Sequence, residues 1–202
     1  MNCIIITRAS RPGNIKSVKD SVRQTFSGSK HTYRHVLVCD FTDAYSDISD
    51  YEPFIGKHTS LFPVCMKNAN DKYMTEGIDR ALDNVADTEG YVYVLDDDNV
   101  MMPEFLTALD AAEKKNPPAV VFRLRNKPQW GSPTIQPGEA VGKIDFANYI
   151  VRLDVIRELK VYCPFSDSHD ADGELFNDIL HHYDGEIEYL DSVCGVYNGL
   201  KG

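Results

Sequence analysis

The stretch at residues 91–99 constrains this chain most. Tyr91, Val92, Tyr93, Val94 and Leu95 run without interruption into Asp96, Asp97 and Asp98. An unbroken apolar run of this kind reads as a strand covered on both faces, as in a parallel sheet, where the two-residue alternation disappears. Three adjacent carboxylates directly after such a strand repel one another and call for a positive partner. In open α/β sheets, the carboxyl ends of the strands are where ligands bind. A hard divalent cation with a phosphate ester supplies the counter-charge, because carboxylates suit Mg²⁺ or Mn²⁺ and such ions commonly bind substrate phosphates too. The plain alternative is a solvated turn before the next helix, although turns generally use Asp singly.

The rest of the chain fits an α/β sheet. Strand-like runs at 2–6, 35–40, 59–64 and 119–124 alternate with helical spacing at 14–26, 72–86 and 103–115. Asn14 is the expected N-cap of the first helix. Ile78, Leu82 and Val85 share one face of the second with Met74, and Pro103 opens the third. Residues 125–139 form a long Pro- and Gly-bearing loop with the sole tryptophan, Trp130. A strand-like run at 144–151 and a helix from Asp154 follow, then a polar segment, a helix over 174–182, and apolar runs at 187–190 and 193–197. With 202 residues and no linker or repeat, the expectation is one domain over 1–202.

A formal charge of −10 argues against nucleic-acid binding and docking to an anionic membrane. The five cysteines lack CxxC pairing, and Cys3 and Cys39 lie inside apolar runs, which fits reduced buried thiols. The first residues form a strand without a basic n-region, and no segment reaches the length of a membrane span. The chain is therefore expected in the cytoplasm.

Three acidic features are expected to share one edge of the sheet. Asp40 ends the second strand, Asp96, Asp97 and Asp98 end the fourth, and Asp170 and Asp172 precede a late helix. The loop at 7–14, with Thr7, Arg8 and Arg11, lies on the same edge and leads into a helix whose N-terminus favours anions. A nucleoside diphosphate would find partners for its base, ribose, phosphates and metal along this edge.

Here the sequence resembles a known family. Residues 97–104, Asp-Asp-Asn-Val-Met-Met-Pro-Glu, and residues 5–14, Ile-Ile-Thr-Arg-Ala-Ser-Arg-Pro-Gly-Asn, are similar to the GT-A glycosyltransferases of family 2, of the spore-coat polysaccharide type. The resemblance implies a nucleotide-diphospho-sugar transferase fold, with a mostly parallel sheet and helices on both faces. It also implies transfer of a sugar from a UDP- or dTDP-sugar to a hydroxyl of a glycan or glycoconjugate. Asp40 would accept the N3–H of uracil or thymine, and either Asp96 or Asp97 would bind the ribose. Asp98 would hold Mn²⁺ or Mg²⁺, with His169 as a further ligand, and either Lys72 or Arg80 would face the phosphates. The base of an inverting transfer falls on Asp172 or Asp170.

Two other readings stand beside this one. A nucleotidyltransferase that makes the nucleotide sugar would want a Gly-rich, lysine-bearing first loop, whereas this loop has one glycine and two arginines. A binding module without turnover would hold nucleotide and metal alone. The chain stops soon after the expected catalytic helix, which fits one module of a longer enzyme.

Overall fold

The structure, a computed structural model, describes residues 1–40, 47–64, 75–126, 135–161, 170–183 and 186–200. β1 (Asn2–Arg8) leads into α1 (Pro12–Phe26), β2 (Thr32–Asp40), two short 3₁₀ turns and β3 (Thr59–Val64). α2 (Thr75–Asn84), β4 (Tyr91–Val94), the short β5 (Val100–Met101), α3 (Phe105–Lys115) and β6 (Ala119–Arg125) follow. A 3₁₀ turn (Phe146–Asn148) then precedes β7 (Tyr149–Arg152), α4 (Leu153–Leu159), α5 (Ala171–His182) and β8 (Glu188–Val196).

These strands form one eight-stranded sheet in the order β3-β2-β1-β4-β7-β6-β8-β5. The β3, β2, β1 and β4 ladders are parallel, as is β6 with β8. β7 runs against both β4 and β6, and β5 runs against β8. Six of the eight strands therefore share a direction, and the sheet is mostly parallel as expected.

The uninterrupted apolar runs are explained by cover on both sides. Ile4, Ile6, Val36, Val38, Val92 and Val94 pack on one face with Ile78 and Leu82 of α2, Val155 of α4 and Phe176 of α5. Cys3, Ile5, Tyr91 and Tyr93 point the other way, onto Val18 and Val22 of α1 and Phe105 and Leu109 of α3. Successive strand residues face opposite sides, so a run without polar breaks loses nothing to water. Phe105 centres this second layer, 4.7 Å from Tyr93 and edge-on to Phe122 at 5.8 Å between ring centroids. Replacing such a ring by alanine costs about 3–5 kcal/mol. Cys3, Cys39 and Cys194 are buried free thiols, while Cys65 and Cys163 lie outside the described residues.

Several boundaries differ from the sequence expectation. α1 begins at Pro12, not after Asn14: proline takes the first helical position, where its missing N–H is not needed, and Arg11 flanks it without a side-chain cap. The 144–151 run splits into a 3₁₀ turn capped by Asp145 and the strand β7. The last two apolar runs are one strand, β8, whose pairing with β6 shifts register between Val121 and Leu124. α5 starts at Ala171, which puts Asp172 inside its first turn and leaves Asp170 as the flanking residue.

Candidate active site

β1, β2 and β4 are parallel neighbours, so their carboxyl ends open on one edge. There Arg8 leaves β1, Asp40 closes β2 opposite Val64, and Asp96 follows β4. Only the backbone of Asp40 is described. Lys72, His169 and Trp130 lie outside the described residues.

The turn after β4 is tied to the loop after β1 by charge-assisted bonds. Arg8 donates from Nε to Asp96 Oδ1 at 2.5 Å and from Nη2 to Oδ2 at 2.6 Å, a bidentate pair. Its guanidinium also lies 5.4 Å from the centre of the Phe146 ring. Burial opposes the charge on Arg8, but Asp96, Asp145 and Asp172 more than offset it, and its pKa stands above the ordinary value. Arg8 is thus the link through which the acid turn, the 3₁₀ cap and α5 share one electrostatic environment.

Asp97 is held by backbone. Its Oδ2 accepts the Ser10 and Arg11 N–H groups, both at 2.6 Å, and the Ser10 hydroxyl at 3.0 Å. Oδ1 accepts Arg11 Nη1 at 2.6 Å. Burial raises the Asp97 pKa, with these bonds and the Arg11 charge working against the rise. The anion-favouring loop before α1 therefore already holds an internal anion. Asp98 Oδ2 lies 3.0 Å from the same Arg11 Nη1.

The segment after β8 completes the turn. Asn198 N–H donates to Asn99 Oδ1 at 2.8 Å, and Leu200 N–H donates to the Asp98 carbonyl at 3.0 Å. Asn99 is buried at 2% exposure, so its side chain braces the turn and does not reach the solvent.

On the facing side, the Tyr149 hydroxyl donates to the Asp172 carbonyl at 3.0 Å, and Asp172 Oδ1 accepts the Gly173 N–H at 2.7 Å. Burial, with Asp172 and Asp145 nearby, pushes the Tyr149 pKa well above its usual value. Asn177 Oδ1 accepts the N–H groups of Gly138 and Ala140, which pins α5 to that loop. Gly173 fits because a Cβ there would stand 2.4 Å from the Val141 Cα.

The structure thus gathers Arg8, Arg11, Asp96, Asp97, Asp98 and Asp172. Thr7, expected among the nucleotide contacts, is instead turned into the interior: it is fully buried, 2.8 Å from His35 Nε2. Strand alternation forces this, since Arg8 beside it faces the site. Asp97 is likewise withdrawn by its loop bonds, whereas Asp96 keeps a side chain that is 21% exposed. Asp145, Tyr149 and Phe146 are not singled out by the sequence. Asp145 has the capping signature of an Asp two residues before the N–H it accepts, Ala147.

The acids around Arg8 and Arg11 are Asp96, Asp97, Asp98, Asp145 and Asp172, five carboxylates to two guanidinium groups, so negative charge is in excess among the described residues. Of the three turn acids, Asp98 is the one that could take a divalent cation, in exchange for the Arg11 nitrogen 3.0 Å from its Oδ2. Asp96 and Asp97 have both oxygens engaged, so any such ion would draw its remaining ligands from phosphate and water, as Mg²⁺ sites do. Among the described residues, one group of His, Asp and Glu does converge closely enough for a metal, His31, Asp110 and Glu113, at the opposite end of the sheet. Lys30 already serves there, 3.0 Å from Asp110 and 2.6 Å from Glu113.

The chain is similar in structure to TarS of S. aureus, with a TM-score of 0.62 and 14% identity over 97% of this chain. This is the nucleotide-diphospho-sugar transferase fold. A TarS structure in complex with UDP aligns at a TM-score of 0.60 and 13% identity, again over 97% of this chain. The chain spans 36% and 60% of the lengths of these two TarS chains. It spans 88% of 4-diphosphocytidyl-2C-methyl-D-erythritol synthase from Anaerococcus prevotii, which covers 98% of it with a TM-score of 0.58 and 15% identity. No family model and no curated protein matches the sequence. Among the described residues, no helix is long and apolar enough to cross a membrane.

Proposed function

We propose that this chain is a metal-dependent glycosyltransferase that moves a sugar from a UDP- or dTDP-sugar to a hydroxyl of a glycan or glycoconjugate. The observation that carries the reading is the meeting, on this fold, of the acid turn after β4 with Arg8, Arg11 and the first turn of α5. A similar structure holds UDP and another UDP-GlcNAc, which supports a uridine donor.

Asp40, at the end of β2, accepts the N3–H of uracil or thymine, a proton that cytosine lacks. Asp96, fixed in orientation by Arg8, binds the ribose hydroxyls. Asp98 holds Mn²⁺ or Mg²⁺, with His169 as a second candidate ligand, and Arg11 and Lys72 face the phosphates. When bound, such an ion neutralises the charge on the leaving diphosphate as a Lewis acid. Asp172 removes the proton of the acceptor hydroxyl. The oxygen attacks the anomeric carbon from the face opposite the diphosphate, whose C–O bond breaks, and the anomeric configuration inverts. Asp172 is preferred to Asp170 because its charge reaches Arg8 beside the acid turn.

Isothermal titration of UDP in the presence of Mn²⁺ and then of EDTA, with GDP and CDP as controls, tests the reading. Metal-dependent UDP binding with weak controls is expected. If no nucleotide binds under any condition, the transferase reading is lost.

The near-complete span of the Anaerococcus synthase favours a second reading, a nucleotidyltransferase acting on a sugar phosphate. Such an enzyme cradles a triphosphate in the first loop. Here the Ser10 and Arg11 N–H groups are taken by Asp97, which weighs against it. Release of pyrophosphate from UTP and a sugar 1-phosphate would favour this second reading over the first.

A further inference from the structure

The two arginines of the site are held differently. Arg8 is 15% exposed, rests on Phe146 and grips Asp96 through two nitrogens. The side chain of Arg11 is 50% exposed, and one nitrogen, Nη1, makes both of its ion pairs. Its Nε–H and Nη2–H donors have no partner among the described residues.

Asp97 keeps further partners when that side chain moves: its Oδ1 accepts the same Nη1 at 2.6 Å, but Ser10 and the Arg11 backbone hold its Oδ2. Asp98 does have the guanidinium as an ion-pair partner, at 3.0 Å from Oδ2, and is itself buried at 7% exposure. A buried carboxylate needs a cation, and like charges exclude one another at contact distance.

We propose that Arg11 is the resident cation of Asp98, and that a divalent metal reaches Asp98 by displacing the guanidinium. The freed side chain keeps its planar set of donors, which suits a phosphate group. Metal and diphosphate thereby help one another at this site: each takes over a partner that the Arg11–Asp98 pair gives up, and the coupling is reciprocal. The inference rests on the proposed reading in assigning the metal to Asp98.

The test is Mn²⁺ affinity without nucleotide, read from the electron paramagnetic resonance signal of the free ion. It is run on the wild type, Arg11→Gln, Asp98→Asn and the double variant. Arg11→Gln is expected to bind Mn²⁺ roughly two- to fivefold more tightly than the wild type, the scale of one partly exposed ion pair. The gain is expected to vanish when Asp98→Asn is added. Lys16→Gln, the same charge change on a solvent-facing residue of α1, is expected to leave the affinity unchanged. Arg11→Lys, which keeps the charge, is expected to bind Mn²⁺ like the wild type, and Arg11→Met takes the place of Arg11→Gln in every comparison if Arg11→Gln does not fold.

Five results would each overturn the proposal. They are equal affinity in wild type and Arg11→Gln, a gain that survives Asp98→Asn, an equal gain in Lys16→Gln, an Arg11→Lys variant that binds as tightly as Arg11→Gln, and no Mn²⁺ binding by either the wild type or Arg11→Gln. UDP binding by the wild type is scored separately and decides the transferase reading, so the two can fail independently.

Discussion

Arg8 and Asp96 meet as a two-pronged pair, Nε to Oδ1 at 2.5 Å and Nη2 to Oδ2 at 2.6 Å, across the ends of two adjacent parallel strands. Both side chains are largely withdrawn from water, at 15% and 21% exposure. Removing Asp96 takes away the two hydrogen bonds of the guanidinium and leaves it the charges of Asp145 and Asp172, so Asp96→Ala should destabilise the protein by about 1–3 kcal/mol. Replacing both, Arg8→Met with Asp96→Leu, should recover much of that loss. Urea unfolding of these variants beside the wild type checks this, and a double variant no more stable than Asp96→Ala would contradict it.

Asp172 offers a separation of binding from turnover. Asp172→Asn should retain UDP affinity and lower sugar transfer about 10²- to 10⁴-fold, the usual contribution of a positioned base. Asp170→Asn should be much milder. A transfer assay with titration calorimetry on both variants decides between the two carboxylates.

Gly173 is a steric requirement of that same turn. A methyl group there would stand 2.4 Å from the Val141 Cα and 2.7 Å from its nitrogen, both backbone atoms that cannot rotate away. Gly173→Ala should cost about 1–3 kcal/mol and shift α5 off the 138–141 loop. Since Asp172 rides on this turn, transfer should fall while UDP binding holds. An alanine variant with wild-type stability would show that the loop yields freely.

His35 gives the protein a pH signature. Burial, with Lys19 nearby, lowers its pKa from 6.5 to about 3. The unfolded chain then binds more protons than the folded one between these values, so the stability is fully present above pH 6.5 and is lost as pH falls towards 3. The slope is at most about 1.4 kcal/mol per pH unit. The wild type minus His35→Gln difference in unfolding free energy, measured from about pH 7.5 to about 4.5, should shrink with acidification. A difference independent of pH would rule the histidine out as the cause.

Much of this site is legible in the sequence because strand ends are easy to read. Apolar runs that stop at charge locate the ends of β1, β2 and β4, and parallel pairing brings them together. What the sequence conceals are directions and partners. Thr7 and Arg8 are neighbours in a motif, yet alternation sends one into the core with His35 and the other into the site. Asp97 reads as a ligand by composition, but its bonds to Ser10 and Arg11 reach far across the chain, 87 and 86 residues away. Asp145 sits in a run that resembles a strand, and its role emerges once the 3₁₀ turn it caps is seen. The start of α1 is misplaced by the sequence because a good capping side chain, Asn14, outweighs the proline two residues before it.

The bonds from Asn198 and Leu200 to the acid turn carry a consequence for biosynthesis. A ribosome has made Asp98 long before it makes Leu200, and β8 must slot between β6 and β5 before that last segment can arrive. Until then Arg8, Ser10 and Arg11 can hold Asp96 and Asp97, but the Asp98 carbonyl and the Asn99 side chain lack the bonds that close the turn. A nascent chain stalled short of residue 198 therefore has every acidic side chain named above and still lacks a finished binding edge.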